Sequence, residues 1–359
     1  MTDALSAQKK PVSRPTLSVV MPNYNHAHFL PVSLQAILDQ SYAAIEVIVV
    51  DDASTDNSLE ILEELSRLAD TLRIYRNDRN RGVIYSCNKG LGFASGDYVY
   101  CAAADDKVLP GAFEKAINLL SQFPEAGLCS TLSGIMNEAG EYQGITHVPV
   151  ISSSACFLSP AKALATLRRH GSWFMGNTVI YRRSALINAG GFIPELGPYC
   201  DGFIDLVLVL KYGGCFIPEP LAMWRKMPVA YSEIVRGNPD MTLEIMRTAK
   251  VLMGTTYRDL FPPEYIEDWE KGFLFAITSK VVSDQYETQI AELRRLSGLS
   301  SPVDKLFFKT LKISMTLQAF ATKCYLFVRF KRGHLWQDAL RKLKHLVDPR
   351  LTRALKHEK

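Results

Sequence analysis

The chain has 359 residues, of which 47% are hydrophobic and 22% charged, and its net charge is +4 at pH 7. This composition excludes wholesale disorder, and the length is enough for one large domain with an appendage or for two domains. No stretch approaches the roughly 18 uninterrupted apolar residues of a membrane span, so the sequence predicts none.

Residues 1–14 are polar and have no apolar core, so we expect a disordered lead and no signal peptide. The seven Cys form no Cys-X-X-Cys pair, and neither they nor the seven His show the spacing of metal ligands. Scattered cysteines of this kind are typical of reduced thiols, which predicts a cytoplasmic protein.

Two short β-branched runs, 17–21 and 45–50, have the pattern of strands buried on both faces of a parallel sheet. Polar residues follow each run: Pro22, Tyr24 and Asn25 after the first, and Asp51, Asp52 and Ser54 after the second. Ligands bind at this edge of α/β sheets, where carboxylates accept hydrogen bonds from a base or ribose. The alternative is a solvated turn in which Asp and Ser cap the next helix.

A third predicted strand, 97–101, is followed by Asp105 and Asp106, and Pro110 is expected to open the next helix. Hard oxygen ligands such as Asp suit Mg²⁺ or Mn²⁺, which bridge one or two carboxylates to substrate phosphates. Residues 80–90 are predicted to form a helix entered through Gly82. That helix would bring Arg81 and Lys89 near the phosphates.

The order of these motifs between Ser18 and Pro110 resembles the nucleotide-binding region of family 2 inverting glycosyltransferases. The resemblance implies the GT-A fold, a Rossmann-like α/β fold with a mostly parallel sheet flanked by helices, here followed by a helical C-terminal extension. It also implies a nucleoside-diphosphate sugar as donor, most commonly a UDP-sugar, and Mn²⁺ or Mg²⁺ as cofactor.

The resemblance assigns roles to individual residues of this sequence. It implies that Asp52, together with Pro22, Tyr24 and Asn25, holds the nucleoside. It implies that Asp105, with Asp106 beside it, holds ribose and metal. The family pattern Asp-X-Asp-Asp reads Ala103-Ala104-Asp105-Asp106 here, so an alanine stands at the first carboxylate position.

Gly190-Gly191-Phe192 followed by Cys200-Asp201 resembles the family turn and acidic motif that supplies the catalytic base. Most members carry Glu-Asp in this motif, so Asp201 matches the base while Cys200 replaces the first acid. Asp205 is the competing candidate because it lies about one helical turn further on. A helix N-cap is the alternative role for Asp201.

The resemblance also places Trp224 and Arg225 in a loop that approaches the diphosphate. The alternative for this pair is a core indole and a surface arginine. The serine-rich segment 141–160 is interpreted as either a mobile flap near the acceptor site or a surface excursion.

The resemblance covers residues 15–226, with a nucleotide-sugar half (15–110) and an acceptor half (111–226). A helical region (227–302) is expected next, with helices at Met241–Leu252 and Tyr265–Leu296. The segment 303–359 carries 14 Lys and Arg against 4 Asp and Glu, a net charge of +10. Its amphipathic helices are predicted either to lie at the inner face of the cell membrane or to pack on the enzyme.

The resemblance implies inverting transfer of a sugar to an acceptor hydroxyl on a glycan or a lipid-linked acceptor, in bacterial surface polysaccharide or glycolipid assembly. No nucleic-acid motif accompanies the positive charge, so no nucleic-acid partner is predicted. One alternative is a non-catalytic nucleotide-sugar-binding scaffold, which Ala103 and Cys200 favour. Another is a nucleotidyltransferase, disfavoured because no Gly-rich, Lys-containing loop follows the first strand.

Overall fold

The structure is a computed structural model that describes residues 14–227, 235 and 238–284. The expectations for residues 1–13, 285–302 and 303–359 lie outside these residues. The strands are β1 Leu17–Asn23, β2 Glu46–Asp51, β3 Leu72–Arg76, β4 Tyr98–Cys101, β5 Lys107–Val108, β6 Leu128–Met136, β7 Tyr142–Ile145, β8 Cys156–Leu158, β9 Ile180–Arg182 and β10 Gly214–Arg225. The α-helices are α1 Leu30–Leu38, α2 Ser58–Ser66, α3 Val83–Phe93, α4 Ala112–Gln122, α5 Pro160–His170, α6 Arg183–Asn188, α7 Cys200–Tyr212, α8 Pro239–Gly254 and α9 Pro263–Asp284.

The described strands form a single sheet in the order β3-β2-β1-β4-β9-β6-β10-β5, with β7 added beside β6 and β8 beside β10. Strands β3, β2, β1 and β4 are all parallel, so their carboxyl ends lie on one edge. Strand β9 pairs antiparallel with both β4 and β6 and joins this half of the sheet to β6 and β10. The predicted α/β fold with a sheet flanked by helices is confirmed.

Successive residues of the parallel strands point to opposite faces of the sheet, and helices cover both faces. Side chains on both faces are therefore buried. In β1, Val19 and Met21 pack with α1 and α4, whereas Val20 packs with α3 and the helices of the second half. The two resulting hydrophobic clusters explain why the strands read as continuous β-branched runs without alternation of polar residues.

Two local expectations need correction. Helix α4 begins at Ala112 and not at Pro110, since Lys107–Val108 first pairs with β10 and the chain then turns through Gly111 at φ +76°. The segment 141–160 is neither a flap nor a plain excursion. It contributes β7 and β8, which pair antiparallel with β6 and β10.

The described part of the C-terminal region packs around the start of α7. Helix α8 is present where the sequence predicts it, and α9 covers the predicted helix as far as Asp284. Rings from this region contact rings of α7 and its entry: Phe203 faces Tyr257 and Phe261, and Tyr199 faces Phe273. No helix among the described residues is long and apolar enough to cross a bilayer.

Candidate functional site

The loop after β3 is built around the Asp52 carboxylate at the end of β2. Asp52 is 2% exposed, and its Oδ1 accepts hydrogen bonds from Asn77 Nδ2 at 2.7 Å and from the Arg81 backbone N–H at 2.9 Å. Its Oδ2 accepts from the Gly82 backbone N–H at 2.7 Å. Asp52 therefore fixes the chain that enters α3, and Gly82 makes this entry at φ +89°, a region that glycine tolerates.

The loop after β2 is held by the neighbouring carboxylate. Asp51 is fully buried and accepts hydrogen bonds from Asn23 Nδ2 at 2.9 Å and from the Ser54 backbone N–H at 3.0 Å. Asn25 has φ +55°, and its Oδ1 accepts from the Thr55 backbone N–H at 2.7 Å. Asn25 thus connects the end of β1 to the loop before α2. Pro22, three residues earlier in β1, is half-buried.

Exposed side chains surround these two loops. Tyr24 is 41% exposed at the end of β1. The Arg81 guanidinium lies 5.1 Å from the centre of the Tyr85 ring and pairs with Asp78 at 3.0 Å. Lys89 Nζ donates to Asn77 Oδ1 at 2.7 Å, so its charge lies beside the Asp52 loop. The structure thus brings together the polar groups that the sequence assigns to the nucleotide.

Asp105 and Asp106 lie at the carboxyl side of β4 and have different surroundings. Asp106 is 7% exposed, and its Oδ1 accepts from the Arg225 backbone N–H at 2.7 Å. Burial and the neighbouring Asp105 charge raise the pKa of Asp106 well above its usual range. Asp105 is half-buried, and its carboxylate accepts no hydrogen bond from the described residues. Asp105 is therefore the carboxylate of this pair that is open to a ligand.

Arg225 braces this carboxylate pair from within the fold. It is 6% exposed, and its Nε donates to the Asp105 carbonyl at 2.7 Å. Its Nη1 donates to the carbonyls of Asn137 at 3.0 Å and Glu138 at 2.7 Å. The guanidinium also lies 4.6 Å from the centre of the Phe29 ring. Arg225 is thus buried and bonded to backbone, unlike the surface arginine of the alternative interpretation, and Trp224 beside it is half-buried.

Asp201 lies in the first turn of α7, against a 3₁₀ turn formed by Gly176–Thr178. Asp201 Oδ1 accepts from the Gly202 backbone N–H at 2.7 Å, and a methyl group at position 176 would overlap Asp201 Oδ2. The next residue, Asn177, lies beside the Asp106 carboxyl, where it partly offsets the rise of that pKa caused by burial, and its Nδ2 donates to Ser133 Oγ at 3.2 Å. The 3₁₀ turn therefore connects the Asp105–Asp106 pair to Asp201.

Asp205 lies one turn further along α7, but it is completely buried. Neither oxygen has a hydrogen-bond partner of ordinary geometry among the described residues, although the Tyr181 hydroxyl is close enough to lower its pKa slightly. Burial and the Asp201 charge raise the pKa of Asp205 well above its usual range. Of the two candidate bases, Asp201 is partly exposed and Asp205 is not.

Three thiols surround these two carboxyls. Cys87, Cys101 and Cys200 are free, and burial raises the pKa of each above that of an ordinary thiol. The nearby carboxyl charges of Asp201 and Asp205 act in the same direction. A thiol held in its neutral form is a weak nucleophile, so the cluster does not indicate covalent catalysis by cysteine.

Sequence reasoning missed three asparagines of the site. Asn77 bridges Asp52 and Lys89, Asn88 bonds to Phe192, and Asn177 lies beside Asp106. Asn77 had a usable signal because it opens the polar run Asn-Asp-Arg-Asn-Arg-Gly, which directly follows β3. The other two gave none, since their partners are distant in the chain.

An α/β sheet whose parallel half ends in a cluster of carboxylates is the architecture of the GT-A fold. Residues 18–190, just under half of the chain, match the model of Glycosyl transferase family 2, and over this segment the chain is similar to that family.

Two relatives indicate how far the similarity extends. An uncharacterized protein of Mycobacterium tuberculosis is 28% identical over 230 residues, which cover 62% of this chain and 71% of that protein. The putative teichuronic acid biosynthesis glycosyltransferase TuaG of Bacillus subtilis is 31% identical over 109 residues, covering 30% of this chain and 43% of TuaG. The chain thus spans less than half of TuaG.

Solved structures share the fold at low sequence identity. TarS residues 1–349 of S. aureus, in complex with UDP-GlcNAc, has a TM-score of 0.60 and 18% identity, covering 78% of this chain and 79% of that one. The mannosyltransferase PcManGT of Pyrobaculum calidifontis, in complex with GDP-Man and Mn²⁺, has a TM-score of 0.52 and 17% identity, covering 90% and 91%. Similarity at this level shows a shared fold.

The buried Asp205 carboxyl generates a prediction about stability. Its pKa is raised in the folded state above the unfolded value of about 3.9, so its stabilising contribution is present at low pH and is lost as pH rises through the folded pKa. Asp205→Asn keeps the size of the neutral acid without the charge. We expect it to raise the Tm by about 3 °C or more at pH 8 and by less at pH 5.

Thermal melts across this pH range check the prediction, with Asp70→Asn as the control because Asp70 is exposed. An Asp205→Asn variant that is equally destabilised at both pH values would show that the carboxyl is charged and paired in the folded protein.

Proposed function

We propose that this protein transfers a sugar from a nucleoside-diphosphate sugar, most commonly a UDP-sugar in this family, to an acceptor hydroxyl with inversion at the anomeric carbon. The observation that carries the proposal is the 3₁₀ turn between Asp106 and Asp201, which links a metal-type carboxylate pair to a half-buried carboxylate on α7. The match to the family model and the sugar nucleotides bound in TarS and PcManGT support the same class of donor.

On the donor side, some residues shape the loops and others are proposed to contact the nucleotide. The buried Asp52 and the exposed Asn25 accept the hydrogen bonds that shape the two loops, and the exposed Tyr24 ring, with Pro22 two residues before it, is proposed to contact the nucleoside. Arg81 and Lys89 supply positive charge to the diphosphate, together with the free amides at the start of α3. Trp224, half-buried beside Arg225, is the aromatic residue proposed to close this side.

The residues present fit a divalent cation such as Mn²⁺ or Mg²⁺. Asp105 offers a carboxylate that accepts no hydrogen bond from the described residues, and the adjacent Asp106, whose pKa is raised by burial and by the Asp105 charge, is the residue that a cation would favour in its ionised form. Among the described residues no group of three or more His, Cys, Asp or Glu is placed to hold a metal. The diphosphate and water would complete such a site, as is usual for Mg²⁺.

When bound, the cation would act as a Lewis acid that stabilises negative charge on the leaving diphosphate. The chain itself supplies the base: Asp201 accepts the proton of the acceptor hydroxyl as the oxygen attacks the anomeric carbon. The transition state has oxocarbenium character, as in glycoside hydrolysis. Proton removal by a positioned carboxylate contributes about 10²–10⁴-fold to such a step.

The proposed acceptor is a glycan or lipid-linked sugar of bacterial surface polysaccharide assembly. The printed role of TuaG in teichuronic acid biosynthesis supports a polysaccharide setting. Contact of residues 303–359 with an anionic membrane stays a proposal that rests on the net charge of +10 and helical spacing of that segment. The scaffold alternative rests on Ala103 and Cys200, which stand where the family usually has acids.

The incomplete metal site predicts that cation and nucleotide bind together. Mn²⁺ without nucleotide should leave the Tm nearly unchanged, whereas UDP, GDP or dTDP with Mn²⁺ should raise it by several degrees when present at about 100 times its Kd. Thermal-shift assays of each diphosphate with Mn²⁺, Mg²⁺ or EDTA check this. Asp105→Asn should abolish the cation-dependent part and Asp70→Asn should not. A large shift with Mn²⁺ and no nucleotide would contradict the shared site.

The two carboxyls of α7 make opposite predictions for activity. Asp201→Asn should lower kcat by about 10²–10⁴-fold with little change in diphosphate affinity, because it removes the base and leaves the donor loops intact. Asp205→Asn should stay within about threefold of wild type. Release of nucleoside diphosphate from the sugar nucleotide measures both. The reverse order would make Asp205 the base, and unchanged activity in both would favour the scaffold alternative.

Gly176 makes a third prediction, since a side chain there meets Asp201 Oδ2. Gly176→Ala should displace the carboxylate and lower kcat by about 10²-fold, the cost of misplacing a catalytic group by about 1 Å. Gly92→Ala is the matched control because nothing lies within 4 Å of a methyl group there. Equal kcat for the two variants would show that Asp201 need not lie against this turn.

A further inference from the structure

We infer that Asn88 is a positioning residue that sets the placement of Asp201 relative to the donor loops, which are the loops after β2 (51–56) and after β3 (77–82). This inference rests on the proposed function. Its Nδ2 donates to the Phe192 carbonyl at 2.7 Å, and its Oδ1 accepts from the Phe192 backbone N–H at 3.0 Å. One side-chain amide thus satisfies both backbone groups of a residue 104 positions away.

Helix α3, which carries Asn88, is fixed to the donor half at three points. At the entry of the helix, the backbone N–H groups of Arg81 and Gly82 donate hydrogen bonds to the Asp52 carboxylate. At Gly90 the helix lies so close to Val20 of β1 that a methyl group would overlap the valine side chain. Lys89, next to Asn88, bonds to Asn77 in the donor loop. Any shift of α3 is therefore a shift of the donor loop as well.

The turn that Asn88 holds leads directly to the proposed base. Gly190 and Gly191 have φ of +96° and +72°, and a Cβ on Gly191 would lie 2.9 Å from Asn88 Oδ1. The amide therefore reaches Phe192 across a surface without a side chain. Phe192 is followed by the 3₁₀ segment Pro194–Tyr199 and then by α7, whose first turn contains Asp201.

On its other side the turn is held by the C-terminal region. Tyr257, between α8 and α9, donates its hydroxyl hydrogen to the Ala189 carbonyl at 2.8 Å. The segment that enters α7 is thus fixed between α3 and the α8–α9 region. Of these two attachments, the one through Asn88 leads back to the nucleotide loops, so it relates the base to the donor.

The Asn88 bonds are expected to affect the position of Asp201 without affecting the binding of the nucleotide. Without the Asn88 bonds, α7 loses its fixed relation to the donor, whereas the Asp52 loop keeps its own hydrogen bonds. Misplacing a catalytic group by about 1 Å costs up to about 10²-fold in rate. The loss should therefore fall on kcat and not on the affinity for the nucleotide.

The first test uses Asn88→Ala, which removes both bonds while alanine preserves the helix. We expect UDP with Mn²⁺ to bind within about twofold of wild type, and kcat to fall by about 10–100-fold. The donor is the one that wild type turns over fastest among UDP-, GDP- and dTDP-sugars. Asn118→Ala, on the exposed side of α4, is the matched control and should leave both values unchanged.

The second test uses Asn88→Asp, which keeps an acceptor for the Phe192 N–H but turns a carboxylate oxygen toward the Phe192 carbonyl. Protonation of the new carboxyl restores a donor, so kcat relative to wild type should rise as pH falls from 7 to 5. The ratio cancels the titration of Asp201, which both proteins share. Asn118→Asp should show a flat ratio.

Hydrogen exchange gives a readout that does not depend on activity. In Asn88→Ala, amide exchange should increase across 190–201 and stay at wild-type levels across 51–56 and 77–86. A wild-type protein that turns over no sugar nucleotide would refute the proposed function while leaving this exchange test standing. Unchanged exchange at 190–201, unchanged kcat, or loss of UDP affinity in step with kcat would overturn the role of Asn88.

Discussion

The site depends first on the buried Asp52 carboxylate, which ends β2 and receives the Asn77 side chain and the backbone N–H groups of Arg81 and Gly82. A carboxylate that is 2% exposed needs such partners, because an unpaired buried charge is costly. The same bonds fix where α3 begins, and α3 carries Lys89 toward the donor loop and Asn88 toward the turn before α7. One buried charge therefore orients groups of both the donor and the acceptor halves.

Arg225 is a second buried charged side chain, and it holds the Asp105–Asp106 pair in place. Two adjacent carboxyls repel each other, and the raised pKa of Asp106 reflects both this repulsion and burial. Arg225 offsets that cost without neutralising Asp105, since its guanidinium bonds to three backbone carbonyls and its backbone N–H bonds to Asp106. The Asp105 carboxylate is thereby left without a hydrogen bond from the described residues, which is why we propose it as the ligand of a cation bound with the diphosphate.

Much of this could be predicted from the sequence because it is local. The sequence pattern predicts strand ends at residues 21, 50 and 101, and the strands end at Asn23, Asp51 and Cys101, within two residues of these positions. The entry of α3 follows from Gly82. Contacts between distant segments could not be predicted in this way. Asp201 and Asp205 share one face of a helix in the sequence pattern, yet how deeply each is buried depends on packing by Tyr181 and by the helices around α7. The pairing of Asn88 with Phe192 is likewise set by the tertiary fold.

The central claim is direct displacement at the anomeric carbon by a hydroxyl that Asp201 deprotonates, with no covalent intermediate. The most direct measurement is the anomeric configuration of the first product formed from an α-linked sugar nucleotide, followed by proton NMR before mutarotation, with Asp201→Asn run in parallel. The account predicts a β-configured product from wild type and a rate at least about 10²-fold lower from the variant. An α-configured product would contradict a single displacement and the assignment of Asp201 as its base.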